Sequence, residues 1–347
     1  MTANLRFIHV GVGGFGKNWL RCLKENPAVE VVAMVDINDK ALDDACAATG
    51  YSKSICHSSL SAALKSTKAD ALISTTPPKF HKDDVITGLH AGLHVISEKP
   101  MADSIENCKQ MLKAANETRK TYVISQNYRY SPVAWTMGQL ARSGRLGDIG
   151  QARIDFFKGV DFGGGFRHEM AHPLVVDMSI HHFDLIRFIT CLDAISVQGV
   201  TWNPKWSNYR GTASCALVFE MNNGARILYN GSWCSKGQFD EWMASWQIEG
   251  EKGTMVFRNN ELRVYDVPKL YGVDKIEIIP PQAPPKQDQA YVLDDFLKCI
   301  ESGARPATDV YDNIRSVAMV YAAVEAMQTG KNIHIFDDEI RMLIEGK

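Results

Sequence analysis

The first third of the chain alternates short apolar runs with longer mixed segments. The apolar runs predict strands covered on both faces, at Leu5–Val10, Val29–Val35, Ala71–Thr75, His94–Ser97 and Thr121–Ser125. The mixed segments predict helices, at Lys17–Glu25, Lys40–Thr49, Asp83–Ala91 and Ile105–Glu117. Asp103 and Glu106 stand at capping-box spacing at the start of the last helix. This alternation indicates an α/β fold with a doubly wound parallel sheet.

The rest of the chain carries a different pattern, in which strand-like runs follow one another closely. These runs are Ile149–Phe157, Ser196–Val200, Ser214–Glu220, Ala225–Ser232, Ala244–Glu249 and Thr254–Arg258. The turn sequences Asn222-Asn223-Gly224 and Glu251-Lys252-Gly253 separate two pairs of them. At 347 residues the chain is long enough for two domains, which we expect at residues 1–127 and 128–347.

A glycine-rich turn follows the first predicted strand and opens the first helix. Gly11, Gly13 and Gly16 allow a tight turn, the close approach of a pyrophosphate, and close helix–strand packing. The helix N-terminus behind them offers unpaired N–H groups to phosphates. Asp36 ends the second strand, 20 residues after Gly16, where a carboxylate accepts hydrogen bonds from ribose hydroxyls. The pattern predicts a dinucleotide site, and the lack of an arginine directly after Asp36 favours NAD over NADP.

Composition and charge argue against several classes of partner. The formal net charge is −2, so no global attraction to nucleic acid or to an anionic membrane is expected. No run approaches the roughly 18 apolar residues of a membrane span, and no signal-peptide pattern precedes the first strand. The eight cysteines include no Cys-x-x-Cys pair. We therefore expect a cytoplasmic protein that binds a small molecule, with neither nucleic acid nor membrane as its partner.

Acids and histidines are dense between residues 168 and 182. Asp177 and His181 are four residues apart, so a helix through Met178–Ile189 places them on one face, where the carboxylate can orient the imidazole. His182 points about 100° away from His181 on such a helix. A metal site is the alternative interpretation, but no recognised zinc-ligand spacing occurs, so we expect no metal. A polar sugar pocket is the simpler reading of this region.

Lys99 follows the strand His94–Ser97 at its carboxyl end, where ligands bind in open α/β sheets. A lysine in this position can donate a hydrogen bond to a substrate oxygen. The position also suits a surface lysine beside a proline turn, so Lys99 alone does not decide between the two interpretations.

Further motifs follow one another along the chain. They are Ser74-Thr75-Thr76-Pro77-Pro78 with His81, Glu98-Lys99-Pro100-Met101-Ala102, Gln126-Asn127-Tyr128-Arg129-Tyr130, Gly144-Arg145-Leu146-Gly147, the Asp177 to His181 segment, and Phe296–Ile333. In these motifs and their order, the sequence resembles the glucose–fructose oxidoreductase, inositol dehydrogenase and rhizopine-catabolism (Gfo/Idh/MocA) family. The Glu-Lys-Pro element is the most recognisable of them, and the resemblance covers essentially the whole chain.

The resemblance implies an N-terminal Rossmann domain and a C-terminal α/β domain. The second domain is expected to carry a large, mostly antiparallel sheet that forms the substrate wall and often an oligomer interface. A homodimer or homotetramer is therefore expected. The implied activity is the NAD-dependent transfer of a hydride between nicotinamide and a secondary alcohol or ketone of a sugar, inositol or related polyol.

The resemblance also implies roles for individual residues. His181 is expected to exchange the substrate proton, with Asp177 beside it and Lys99 assisting. The expected cofactor-binding residues are Gly11, Gly13, Gly14, Phe15, Gly16, Asp36, Thr75, Thr76, Pro77, His81, Glu98, Lys99 and Gln126. The expected substrate-binding residues are Lys99, Tyr128, Arg167, His168, Asp177, His181 and His182. Asp184 completes the Asp-x-x-x-His-x-x-Asp pattern and is expected to be structural.

Two departures from the family pattern leave the substrate open. Ser179 stands where a glycine is common, and Phe166–Glu169 is inserted between a glycine run and Asp177. Two other functions stay compatible with the same residues. One is a glycosidase that cycles tightly bound NAD through oxidation and re-reduction, and the other is a non-catalytic sugar or nucleotide sensor. Retained cofactor without net NADH would indicate the glycosidase, whereas loss of the lysine or histidine would indicate the sensor.

Overall fold

The N-terminal part of the chain folds into a parallel six-stranded sheet in the computed structural model, which describes residues 4–237, 239–267, 269 and 272–346. Its strands are β1 (Leu5–Val10), β2 (Val29–Val35), β3 (Cys56–His57), β4 (Ala71–Ser74), β5 (His94–Ser97) and β6 (Tyr122–Ile124). They lie in the order β3-β2-β1-β4-β5-β6. The order reverses between β1 and β4, which is where open α/β sheets bind ligands.

Helices connect these strands: α1 (Gly16–Glu25), α2 (Asp39–Thr49), α3 (Leu60–Ser66), α4 (Pro78–His90) and α5 (Ile105–Thr118). The doubly wound parallel sheet predicted from the sequence is confirmed. The short elements β3 and α3 were not predicted, because neither carries a run long enough to show a period.

Two details of the helix starts differ from the prediction. α4 begins at Pro78 rather than Asp83, because proline suits the first position of a helix. α5 is capped by Ser104, whose Oγ accepts from the Asn107 N–H at 3.2 Å, so the predicted capping box with Asp103 is wrong. The Asp103 carboxylate accepts instead from the Asn107 side-chain amide at 2.6 Å.

A nine-stranded, mostly antiparallel sheet forms the centre of the second unit. Its strands are β7 (Ile149–Phe157), β8 (Ala194–Trp202), β9 (Ser214–Met221), β10 (Arg226–Ser232), β11 (Ser245–Gly250), β12 (Gly253–Arg258), β13 (Glu261–Asp266), β14 (Lys275–Ile278) and β15 (Ile333–His334). Their order is β14-β13-β12-β11-β7-β10-β9-β8-β15, and β7 pairs with β10 in parallel. The six predicted strands are confirmed, and β13 to β15 were missed.

One face of this sheet is buried and the other is partly open. Along β9 the side chains of Leu217, Phe219 and Met221 are buried, whereas those between them are more exposed. The helices α6 (Pro132–Arg142) and α8 (Ser179–Thr190) belong to the same unit. This alternation is what a sheet with one covered face produces.

The C-terminal helices divide between the two units. They are α9 (Asp288–Ser302), α10 (Val310–Thr329) and α11 (Asp338–Glu345). The first unit comprises residues 1–127, 289–314 and 338–347, and the second comprises residues 128–288 and 315–337. This division differs from the predicted one, in which all of 128–347 formed the second domain.

Contacts within the first unit explain why residues 289–314 and 338–347 belong to it. The buried Lys109 of α5 forms a 2.7 Å ion pair with Glu339 of α11, and the Asn116 amide donates to the Leu343 carbonyl at 2.9 Å. Phe296 of α9 packs against Phe7 of β1, with ring centroids 6.1 Å apart. Such contacts between residues far apart in sequence leave no local signal.

Candidate active site

Two of the glycines after β1 are required by the packing of the turn itself. Gly11 has φ +86°, and a Cβ there would lie 2.8 Å from the backbone nitrogen of Thr76. A Cβ on Gly16 would lie 1.9 Å from the carbonyl oxygen of Gly11. These positions exclude any side chain, as the prediction of a tight turn and close helix–strand packing requires.

Gly13 and Gly14, which lie between them, leave more room than Gly11 and Gly16 do. A Cβ on Gly13 would meet nothing closer than 3.5 Å, and one on Gly14 would meet no atom within 4 Å. Phe15 supplies no side-chain cap to α1, and the first turn of that helix holds no acidic residue. The first turn of α1 therefore has no acidic side chain that would repel the pyrophosphate of a dinucleotide.

Asp36 is tied to this turn. Its carboxylate accepts from the Gly13 N–H at 3.3 Å and from the Asn38 N–H at 2.9 Å. The side chain is partly exposed. A negative charge held here suits the hydroxyls of a ribose and repels a 2′-phosphate.

A chain of hydrogen bonds supports the turn from below. The Thr75 hydroxyl, directly after β4, donates to the Gly11 carbonyl and lies 3.1 Å from Nε2 of His9. His9 is fully buried in β1, and burial lowers its pKa to about 3, so the ring is neutral. Sequence reasoning missed His9, although a histidine within an apolar strand was an available signal.

The expected cofactor contact of His81 is corrected by the structure to a supporting role. His81 is fully buried, with Nε2 2.7 Å from the Thr76 carbonyl and Nδ1 3.0 Å from the Pro100 carbonyl. Burial lowers the pKa of His81. Thr76 also bonds through its hydroxyl to Asp84 at 2.8 Å, and Pro77 directly precedes α4. The side chain of His81 therefore braces the wall that Thr76 and Pro77 form.

The structure also corrects the expected cofactor contact of Glu98 to a supporting role. Its buried carboxylate accepts from the Trp19 indole at 2.6 Å and from the Lys99 backbone N–H at 3.1 Å. Burial raises the pKa of Glu98. This side chain therefore fixes the segment that carries Lys99 from inside, and Lys99 itself is partly exposed after β5.

Gln126 lies two residues after the end of β6 and is 1% exposed. Neither its amide nitrogen nor its amide oxygen has a hydrogen-bond partner among the residues that the structure describes. A buried amide without partners is costly unless another molecule satisfies it. Gln126 and the glycine-rich turn thus fit a bound dinucleotide.

In the second unit, Asp177 and His181 do not lie on one regular α-helix. A π-helical turn, Leu174–Met178, contains Asp177 and leads into α8, whose first turn contains His181. The expected α-helical i, i+4 face is therefore wrong in detail, because the π turn closes with a bond from Ser179 N–H to the Leu174 carbonyl. Such turns occur frequently at functional sites. Both Asp177 and His181 are buried.

Arg167 forms an ion pair with Asp177. Its Nε donates to the Asp177 carboxylate, and its guanidinium lies over the rings of Phe162 and Phe166 at 4.8 and 4.6 Å. Arg167 comes from the short helix α7 (Phe166–Glu169), which is the inserted segment. The structure thus brings together two predicted substrate-binding residues.

Tyr128 covers the ring of His181. The two rings are stacked, with centroids 4.0 Å apart and planes 16° apart. Burial, together with the negative charges of Asp288 and Asp177, raises the pKa of Tyr128 to about 12. Tyr128 is therefore a neutral phenol at physiological pH, and it fixes the orientation of His181.

His168 lies in a second aromatic group within the same unit. It stacks on Tyr209 with centroids 4.8 Å apart, and its Nε2 lies 3.3 Å from the Asn208 amide and 3.4 Å from the Asp161 carboxylate. Its buried Nδ1 has no partner within the described residues. This group lies near the Arg167–Asp177 pair, because the Phe162 ring lies 6.5 Å from the His168 ring and the Arg167 guanidinium lies 4.8 Å over it.

The expected contact of His182 with substrate is corrected. His182 is fully buried, with Nδ1 2.9 Å from the Tyr229 hydroxyl and Nε2 3.0 Å from the Trp242 carbonyl. Burial lowers its pKa to about 4. Both ring nitrogens are engaged inside the protein, so His182 anchors α8 to the sheet instead of binding a ligand. Ser179 bonds to the same Tyr229 hydroxyl at 2.9 Å.

Asp184 has the structural role expected for it. It forms a buried pair with Arg129, in which two hydrogen bonds measure 2.6 Å each. Within the described ranges, no group of three or more His, Cys, Asp or Glu side chains is placed to hold a metal ion. No helix in the described part of the chain is both long and apolar enough to cross a membrane.

Comparisons with known proteins agree with these features. The family described as "Oxidoreductase family, NAD-binding Rossmann fold" matches residues 5–126, and the "GFO/IDH/MocA C-terminal domain" matches residues 135–256. D-apiose dehydrogenase of Paraburkholderia graminis is 23% identical, over 94% of this chain and 88% of its own. Inositol 2-dehydrogenase of Rhizobium meliloti is 23% identical, over 95% of this chain and 99% of its own.

A solved structure shares the fold across both units. It is an oxidoreductase from Agrobacterium radiobacter in complex with NAD+, L-tartaric acid and magnesium. The TM-score is 0.85 at 20% identity, and the match covers 96% of this chain and 99% of that one.

Proposed function

Because the chain belongs to the Gfo/Idh/MocA family of NAD-binding oxidoreductases, we propose that it interconverts a secondary alcohol and a ketone of a sugar, inositol or related polyol. The observation that carries this proposal is the stacking of Tyr128 on His181. Asp177, four residues before His181 in the sequence, is held in an ion pair by Arg167. An imidazole with a fixed orientation is what proton removal from a carbinol needs.

The first unit supplies the cofactor-binding groups. The glycine-rich turn before α1 would hold the pyrophosphate, and Asp36 would accept hydrogen bonds from the ribose hydroxyls, which favours NAD over NADP. Gln126 offers its amide to polar groups of the cofactor. When bound, NAD supplies the acceptor for the hydride that leaves the carbinol carbon.

The proton follows a separate route. His181, oriented by Tyr128, takes the hydroxyl proton, and the carboxylate of Asp177 stabilises the imidazolium that forms. Arg167 forms an ion pair with the Asp177 carboxylate and holds it in place. The ammonium group of Lys99 donates to the substrate oxygen and stabilises the negative charge that develops there.

Several polar side chains of the second unit support a polyhydroxylated substrate. Tyr128, Arg167, His168, Asp177 and His181 together offer donors and acceptors of both charges. The relatives named for inositol and D-apiose act on substrates of this class. His182 is left out of this set because both of its ring nitrogens are engaged.

Single-turnover NADH formation from NAD and an oxidisable polyol tests the assignment. We expect His181→Gln and Lys99→Met to slow it by roughly 100- to 10,000-fold, while NADH affinity measured by fluorescence changes little. His90→Gln and Lys113→Met are the matched controls on exposed helix positions. Full turnover in both site variants would refute the catalytic roles. Deuterium from the carbinol carbon should leave in the reduced cofactor, whereas its return to product would indicate a redox-cycling glycosidase.

We also propose that copies of the chain associate through the open face of the nine-stranded sheet. Val200 and Leu228 on this face are 60% and 39% exposed, and Ile276 and Ile278 at its edge are also exposed. Exposed apolar surface of this kind is typical of interfaces. Light scattering should give a homodimer or homotetramer that Val200→Glu weakens, whereas a monomeric parent protein would refute the proposal.

All eight cysteines are free thiols, which supports a reducing compartment such as the cytoplasm.

A further inference from the structure

Two cysteines of the first unit lie with their sulfur atoms in contact. Cys46 is in α2 and Cys56 begins β3, and their Sγ atoms are 3.4 Å apart. Both are free thiols. The catalytic and cofactor-binding assignments use neither residue. A disulfide requires sulfurs about 2.05 Å apart, so bond formation needs a relative movement of only about 1.3 Å.

The surroundings of the pair control access and reactivity. Cys46 is 9% exposed and Cys56 is half-buried, so a small reagent reaches Cys56 first. Asp43 and Lys53 form an exposed ion pair of 2.6 Å beside them. Burial and the hydrogen bond with Cys46 raise the pKa of Cys56 to about 11; Asp43 adds to this rise and Lys53 opposes it. Thiolate attack is therefore slow at neutral pH and accelerates as the pH rises.

We propose that Cys46 and Cys56 form a thiol modification site that closes to an intramolecular disulfide when it meets a low-molecular-weight disulfide such as glutathione disulfide. The Cys56 thiolate attacks one sulfur of the reagent, forms a mixed disulfide and releases one thiol. The Cys46 thiol, after losing its proton, attacks the Cys56 sulfur and releases the second thiol. Two protein thiols lose two electrons and two protons, and the reagent disulfide gains them.

The site lies next to Asp36, the residue assigned to the ribose of the cofactor. β3 pairs with the end of β2, where Cys56 is opposite Met34 and His57 is opposite Val35. The next residue, Asp36, donates its backbone N–H to the His57 carbonyl at 3.2 Å. Drawing β3 towards α2 therefore displaces the hydrogen-bond partner of Asp36. We expect the closed form to bind NADH about fivefold more weakly, which corresponds to the loss of one hydrogen bond.

The test treats the full-length protein with glutathione disulfide at pH 7.0 and pH 8.5 and maps the cysteines by mass spectrometry. The proposal predicts a crosslinked peptide pair, lighter by two hydrogens, that contains Cys46 and Cys56 and forms faster at the higher pH. The exposed Cys191 provides the internal contrast, because it should gain a glutathionyl group without forming a crosslink. Cys46→Ser and Cys56→Ser should each abolish the crosslink, while Cys191→Ser leaves it unchanged.

NADH affinity is then measured by fluorescence on the oxidised protein before and after dithiothreitol. A fivefold loss that dithiothreitol reverses, absent from Cys46→Ser, supports the coupling to the Asp36 region. Oxidation without a Cys46–Cys56 crosslink overturns the proposed site. A complete crosslink that leaves NADH affinity unchanged overturns the coupling. Mapping the parent protein decides the first point even if a serine variant fails to fold.

Discussion

Replacing Asp184 by asparagine removes one charge from a buried ion pair on the helix that carries His181. The Arg129 guanidinium donates two hydrogen bonds of 2.6 Å to the carboxylate, and the Ser316 hydroxyl donates a third of 2.8 Å. The side chains of Arg129 and Asp184 are 5% and 1% exposed. Water therefore cannot compensate the guanidinium that the substitution leaves behind.

The expected loss in the free energy of unfolding follows from this burial. Removing one partner of a buried ion pair destabilises a protein by about 3–5 kcal/mol, because the remaining charge stays buried without compensation. Asparagine keeps the volume and one acceptor oxygen, so we expect a loss of about 3 kcal/mol in the free energy of unfolding. Glu169→Gln is the matched control, because its ion pair with Arg210 is largely exposed and should contribute at most about 1 kcal/mol.

Urea unfolding followed by tryptophan fluorescence measures both changes. Six of the seven tryptophans lie in the second unit, so the signal reports mainly on the unit that holds the pair. A loss below about 1 kcal/mol for Asp184→Asn would contradict the reasoning, since it would mean that Arg129 is solvated or paired elsewhere. An equal loss for Glu169→Gln would contradict it as well, because burial would then not be the cause.

Three further predictions concern single residues. His9→Phe removes the hydrogen bond to Thr75 beneath the glycine turn, so NADH should bind about fivefold more weakly in fluorescence titration. His9→Gln, which can place an amide nitrogen near Nε2, should bind NADH as the parent does, and equal affinities for Phe and Gln would refute this role. Burial lowers the pKa of His182 from 6.5 to about 4, so the unfolded chain binds this proton first as the pH falls. Stability from His182 should therefore be complete above pH 6.5 and decline by about 3 kcal/mol towards pH 4; His182→Gln should flatten this dependence in urea midpoints. Asp36→Ala should lower NAD affinity about tenfold without lowering that of NADP, and an unchanged NAD affinity in calorimetry would contradict the assignment.

Local patterns were sufficient to predict most of the fold. The buried strands of the first unit and the hairpin strands of the second carry periods that depend only on neighbouring residues, and the structure has them at nearly the predicted bounds. The assignment of the C-terminal segments was not predictable in this way. It depends on contacts such as Lys109–Glu339, which join residues 230 positions apart.

In the candidate site, too, local features were predictable from the sequence, whereas features that depend on burial and tertiary contacts were not. The positions of Gly11 and Asp36 follow from the turn and the end of a strand, which are local features. The roles of His81 and His182 depend on burial, which spacing does not report, and the π turn at Asp177 depends on how α8 meets the preceding segment. The ion pair between Arg167 and Asp177 comes from an inserted helix, and no sequence pattern predicted this contact.

NADH formation across a panel of inositols, aldoses and simple glycosides tests the central claim most directly. The account predicts that at least one polyol yields NADH, seen at its near-ultraviolet absorbance band, and that His181→Gln removes this signal. No NADH with any member of the panel, although NAD binds, would contradict the assignment as a polyol dehydrogenase.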